Sequence, residues 1–295
     1  MDKRQILFGL VFFVFVFCTN VYSSENSHSK TEQELYVWLN ELPKPWNETD
    51  ATLGLSLAKF HQQFPNYHER LRALAYWRIG TPYQIFNLGE EQAPDLDPIF
   101  RLDVSDCTSH VLTTLSLAES NSWQEARDNL IQIHYKADKY GIKKPDYSKR
   151  WHFTADRLLH HKMTPQVSNV YIDKLKLKRT TLLLNEKPDG SEFLDIDWSE
   201  MVTVEYIPND SITNELLQKL PSMIGVAFVK ESYFKMGLVM AHEGMLMDGK
   251  YLLHAGQIAQ QTVIEDFMTY YFPKKGARFD GIMLYELHPL GSNNN

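Results

Sequence analysis

Gly-Leu-Val-Met-Ala-His-Glu-Gly-Met-Leu-Met-Asp-Gly-Lys-Tyr-Leu-Leu-His-Ala-Gly (237–256) holds strand-like runs at Gly237 to Ala241, Gly244 to Met247 and Tyr251 to Leu253. Between the last two lies Asp248-Gly249. That pair is a tight-turn signal, because both central residues of a type I′ hairpin turn take positive φ. Folding at this turn brings His242 and His254 near each other on one sheet face. One histidine can then act as a base while the other orients it. Either one, taken singly, also reads as an ordinary half-buried strand residue.

Working outward, the chain after Thr164 is rich in strand patterns. Val167 to Tyr171, Thr180 to Leu184, Met201 to Ile207 and Ile224 to Val229 are strand-like, as is Gly281 to Leu287. Val263 to Tyr271 reads as a short helix, as does 211–219. The chain before Thr164 has helical spacing instead, over 31–79, 106–119, 122–139 and 153–162. Helices first and strands second predicts an α+β fold, with N-terminal helices packed on an antiparallel C-terminal sheet. There is no internal repeat and no phosphate-binding glycine loop.

The helix at 106–119 carries Cys107 in its first turn, where Asp106 or Ser105 can cap it. Unpaired N–H groups and the positive end of the helix dipole favour a thiolate there. A buried structural cysteine is the plain alternative. The other cysteine, Cys18, lies in an apolar run, Ile6 to Cys18, that follows Met-Asp-Lys-Arg and precedes Thr-Asn-Val-Tyr-Ser-Ser. This reads as a signal peptide over 1–23, so the protein is expected to be exported, periplasmic or secreted, with one thiol and no internal disulfide. No later segment is apolar for the roughly 20 residues that a membrane span needs. Residues 24–69 are expected to be an N-terminal helical extension and 70–290 a catalytic domain. With 43% hydrophobic and 13% aromatic residues, the chain can form a packed core. A net charge of −7 without long Lys/Arg runs disfavours nucleic acid as a partner.

Several motifs, taken in order, resemble the NlpC-type papain-like cell-wall hydrolases. They are Gly80-Thr-Pro-Tyr83, Asp106-Cys107 opening an apolar helix, His242-x-Gly244 followed by Asp248-Gly249, and His254-Ala255. Arg101-Leu-Asp-x-x-Asp-Cys, Arg150-x-His152-Phe153 with Asp156, and Val204-x-Tyr-Ile-Pro208 are similar to the N-acetylmuramoyl-L-alanine amidase-like branch. The resemblance spans roughly residues 70–287 and implies a papain-like core with the nucleophile at a helix start. It implies Cys107 as nucleophile, His242 as base and then acid, His254 as its orienting partner, and Tyr83 beside the thiol as an oxyanion donor. The second oxyanion donor, the Cys107 backbone N–H, also follows from helix geometry. The implied substrate is a peptidoglycan fragment or muropeptide, cleaved between the muramyl lactyl group and L-alanine. Arg101, Asp106, Arg150, Trp151, His152 and Tyr206 are the candidate substrate-binding residues. The resemblance calls for no metal or cofactor, and a monomer is expected.

Three departures from the family pattern bear on the site. Glu243 stands where an apolar residue is common, and Gly256 where serine is. An alternative register puts Lys235 at the base position, which would make the domain a binding module. A zinc site of His242, Glu243 and His254 is a further reading, although the helical His-Glu-x-x-His spacing is absent. Cleavage within the stem peptide is the remaining alternative.

Overall fold

The structure, a computed structural model, describes residues 25–291. The expected signal, residues 1–23 with Cys18, lies outside the described residues. The chain divides into two compact units between Leu39 and Asn40. In the first, residues 25–39 belong to helix α1 (Glu25–Asn40). Among the described residues no helix is long and apolar enough to cross a membrane.

The second unit begins with helices α2 (Asp50–Gln63), α3 (Tyr67–Trp77), α4 (Cys107–Leu117), α5 (Trp123–His134) and α6 (Thr154–His160). Local chemistry starts them. Asn66 accepts from the His68 and Glu69 N–H groups at the head of α3, and Ser122 accepts from Glu125 N–H at the head of α5. Asp106 and Ser109 form a reciprocal capping box on α4, with both bonds at 2.8 Å. Short helices α7 (Ser168–Tyr171), α8 (Asn214–Gln218) and α9 (Phe267–Tyr271) lie among the strands.

Seven strands make one antiparallel sheet in the order β1-β2-β7-β3-β4-β5-β6. They are β1 (Lys178–Leu184), β2 (Glu200–Pro208), β3 (Met223–Val229), β4 (Met240–Met247), β5 (Tyr251–Gly256), β6 (Gln261–Asp266) and β7 (Gly281–Tyr285). The mixed α+β architecture expected from the sequence is present. On one face Val226, Phe228, Leu246, Leu252 and Leu284 pack with Leu216 and Leu217 of α8 and Phe267 and Tyr271 of α9. On the other, α4 lies across β4 and β5 and is backed by α3 and α5. Val111, Leu112 and Leu115 are fully buried there, and so are Thr113, Thr114 and Ser116. The apolar helix is enclosed all round rather than on one stripe.

Five local readings are corrected. Residues 168–171 are helical, because Ser168 turns its hydroxyl back to accept from Leu284 N–H of β7. The pattern at 263–271 divides into strand β6 and helix α9, with Asp266 capping α9 through Thr269 N–H at 2.8 Å. Met240 and Ala241 join His242 and the run after it in one strand, β4, while 237–239 lie outside it, and α5 ends at His134 instead of 139. Lys235 lies in a 3-10 turn, Glu231–Met236, ahead of β4, so the register that would make it the base does not form.

Candidate active site

The β4–β5 turn works as its sequence implies. Asp248 and Gly249 have φ of 51° and 60°, the positive pair of a type I′ turn. Met245 therefore pairs with Leu253 and Met247 with Tyr251. Continued upward, this register sets Gly244 beside His254. A Cβ added at Gly244 would come within 2.9 Å of His254 Cβ. Glycine is thus required there for the close approach of the two strands. The two histidines project from the same face and bond directly, His242 Nε2 to His254 Nδ1 at 2.6 Å. His254 is 2% exposed, and its Nε2 lies 2.9 Å from Glu265 Oε1 on β6. Phe228 stacks on His242 and Tyr270 covers both rings, at centroid distances of 5.4, 6.1 and 4.8 Å. Burial, then the charge of His254, holds His242 well below the usual imidazole range, so it rests as a neutral base.

Cys107 is the first residue of α4 and half-buried. It lines a cleft of about 1050 Å³ together with Tyr83, His152, His242, His254, Glu265 and Tyr270. A smaller recess of about 150 Å³ holds Cys107, His152 and His242 on its own walls. Thr108 Oγ1 lies 4.0 Å from the Cys107 sulfur. The dipole argument predicts a thiolate, and this expectation fails here. Burial first, then the charges of Asp106 and Glu243, push the thiol up to about 12. The cap at Asp106 explains why: its carboxylate already occupies the positive end of the helix. Among its contacts, Oδ1 takes Ser109 N–H and Oδ2 takes Phe86 N–H at 3.0 Å.

Tyr83 reaches the cleft as expected. Burial, then Cys107, pushes its phenol up to about 12, so it remains an O–H donor at neutral pH. His152 also lines the cleft. Its Nε2 lies 2.6 Å from Tyr147 O, and burial first lowers it to about 4. Trp151 lines the cleft with an indole N–H that has no partner among the described residues.

The remaining candidates need correction. Arg150 borders the cleft, but its guanidinium is committed to Glu90 at 2.7 and 2.6 Å, Asp95 at 2.8 Å and Leu88 O. Arg101 pairs with Asp103 at 2.8 and 2.7 Å, away from both cavities. Tyr206, on β2, is fully buried, lies outside the cleft lining and donates to Glu231 Oε1 at 2.8 Å. Asp106 lines the cleft and also caps α4.

Glu243 points to the opposite face of β4 from His242, as strand alternation requires. Its carboxylate accepts from Thr108 at 2.8 Å, Thr154 at 3.0 Å, Arg157 at 2.5 Å and Tyr285 at 2.7 Å. It therefore cannot share a metal with His242 and His254, which removes the zinc site read from the sequence. Among the described residues the group able to converge on a metal is Asp156, His160 and Glu200. It lies elsewhere, and Lys136 already meets Asp156 at 2.5 Å. Sequence reasoning missed Glu265 and Tyr270. Both sit in the segment read as a single helix.

No curated protein matches the chain. A solved protein of Legionella pneumophila str. Philadelphia 1, assigned to the DUF1460 family model, superposes with a TM-score of 0.65 at 18% identity. That match covers 82% of this chain and 97% of the other. An N-acetylmuramoyl-L-alanine amidase from Bacteroides uniformis ATCC 8492 superposes with a TM-score of 0.54 at 17% identity, covering 75% of this chain and 98% of its own. At these identities the likeness is one of fold. The AmiA-like family model, described as N-acetylmuramoyl-L-alanine amidase-like, matches residues 74–277. The chain belongs to the N-acetylmuramoyl-L-alanine amidase-like family.

Proposed function

We propose that the protein is an exported cysteine amidase that cleaves the bond between the muramyl lactyl group and L-alanine in peptidoglycan fragments. One observation carries the reading: Cys107, at a helix start, lines the same cleft as a His242–His254 pair bonded at 2.6 Å. Membership of the amidase-like family supplies the substrate class.

Both partners begin neutral, so the thiol is activated by proton transfer and not by a standing ion pair. His242 removes the Cys107 proton as the sulfur attacks the lactyl carbonyl. The oxyanion receives hydrogen bonds from the Cys107 backbone N–H and the Tyr83 hydroxyl. His242 then returns the proton to the departing L-alanine nitrogen, leaving a thioester. Water, deprotonated by His242, cleaves the thioester to a lactyl carboxylate and the free thiol. His254 holds the base and shares its transient positive charge.

The test is mass spectrometry of defined muropeptides incubated with the protein lacking residues 1–23. A free lactyl carboxylate and a free L-alanine amine are expected. Cys107→Ala should reduce the rate at least about 10³-fold without loss of fold. Wild-type rates in Cys107→Ala would overturn the thiol mechanism. A cut inside the stem peptide would move the protein to the peptidase reading. Export follows from residues 1–23, and the mass of the mature chain recovered outside the cytoplasm tests it.

A further inference from the structure

The structure assigns Glu265 a positioning role, that of fixing which ring nitrogen of His242 is free to take the Cys107 proton. The inference rests on the cysteine-amidase reading for its chemistry and on three side chains in a row for its geometry. His242 Nε2 and His254 Nδ1 are 2.6 Å apart, and His254 Nε2 and Glu265 Oε1 are 2.9 Å apart.

The logic is one of donors and acceptors. A neutral imidazole carries one N–H and one lone pair, whereas a carboxylate oxygen only accepts. His254 must therefore donate from Nε2 to Glu265. Its Nδ1 is left as a lone pair, which can only accept. Across the 2.6 Å contact His242 must then donate from Nε2. The lone pair of His242 is forced onto Nδ1, the remaining nitrogen and the one free to serve the thiol. Without Glu265 the contact between the two histidines could equally run the other way. His242 would then carry its N–H on Nδ1 and could not act as a base.

The arrangement also has an electrostatic direction. When His242 takes the proton, the positive charge is shared along the row toward the carboxylate. The groups around this row are Cys107 and His110 from α4, Tyr270 from α9, and Arg278, whose guanidinium lies over the Tyr270 ring at 5.0 Å. His110 is buried with its charge disfavoured, and Tyr270 is held protonated. Glu265 is therefore the anion of the set once Cys107 is a thiol. Its side chain is 43% exposed, so changing it leaves the core alone.

The experiment compares wild type with Glu265→Gln and Glu265→Ala, using three readouts. Muropeptide hydrolysis gives kcat and KM, iodoacetamide alkylation of Cys107 gives thiol activation without substrate, and ¹⁵N NMR of labelled histidine gives the tautomers. The glutamine amide can donate to His254 Nε2 and so impose the reversed tautomer. We expect kcat to fall at least about 10-fold with KM changed less than about 3-fold. Alkylation at pH 7 should slow by a similar factor. The acid limb of its pH profile should move to lower pH, since an anion that favours the imidazolium is gone. The His254 Nε2–H signal should be lost with the melting temperature unchanged. A Glu265→Gln variant that keeps the wild-type tautomer and alkylation profile would overturn the assignment, even if hydrolysis stays normal. If wild type hydrolyses no muropeptide but base-assisted alkylation falls in the variants, the assignment stands and the amidase reading fails.

Discussion

Glu243 lies one position from the proposed base, yet its carboxylate serves the scaffold. It gathers Thr108 from the first turn of α4, Thr154 and Arg157 from α6, and Tyr285 from β7. The departure from the family pattern thus has a structural meaning: this carboxylate ties the Cys107 turn to the strand bearing His242. Its partner Arg157 is fully buried. Removing one member of a buried pair strands the other, at a cost of about 3–5 kcal/mol. Glu243→Leu should therefore destabilise the fold by about that amount in urea denaturation. Adding Arg157→Met should recover most of the loss, because an apolar pair of similar volume replaces the ions. Equal losses in the single and double variants would show that the pair itself adds little.

At the scale of elements, the β4–β5 hairpin sets the histidine spacing, and its two glycines near the site differ in tolerance. A Cβ at Gly244 would press on His254 Cβ and Leu253 O at 2.9 Å, whereas one at Gly256 meets neighbours no closer than 3.4 Å. Gly244→Ala should push the histidines apart and lower kcat by at least about 10-fold. Gly256→Ala, or the serine common in the family, should retain activity within about 3-fold. Steady-state kinetics on one muropeptide checks both, and the reverse ranking would refute the register argument. The hairpin was legible in the sequence because a type I′ turn is local chemistry, carried by Asp248 and Gly249 alone. Cys107 at a helix start was legible for the same reason, through the Asp106 cap. Strand β6 was not. Val263, Ile264, Phe267, Met268 and Tyr271 recur at helical intervals, and only pairing with β5 makes 261–266 a strand. The β-branched run Thr262-Val263-Ile264 was the available signal. With β6 misread, Glu265 could not be placed beside His254. Tyr206 and Arg101 failed differently: sequence gives residue type, but the partners that engage them come from distant elements.

Across the whole molecule, uncharged buried histidines make the fold sensitive to mild acid. Burial holds His110, His134 and His242 well below the usual value, and lowers His152 to about 4 and His161 to about 3. In the unfolded chain each would titrate near 6.5. As pH falls through about 6.5 the unfolded chain takes up protons that the folded one refuses, and stability falls. The contribution is complete above 6.5 and is lost progressively toward about 4 for His152 and about 3 for His161. Each group adds at most about 1.4 kcal/mol per pH unit. Asp106 and Glu119 oppose the trend, since burial raises their carboxyls and the folded state keeps those protons to higher pH than the unfolded chain does. Glu91, Asp103, Glu231 and Asp266 are held low by their partners, and they lose stability only below about 4.5. Between pH 7 and pH 5 the five histidines are the groups that drive stability down, against the two raised carboxyls. One kcal/mol moves the melting temperature of a chain this size by about 2–4 °C. Calorimetry should show a fall of at least about 5 °C between pH 7 and pH 5, with proton uptake on unfolding at pH 6. His134→Gln should flatten that slope, because glutamine carries no proton to gain. A melting temperature constant from pH 7 to pH 5 would mean that these rings are already charged in the folded state.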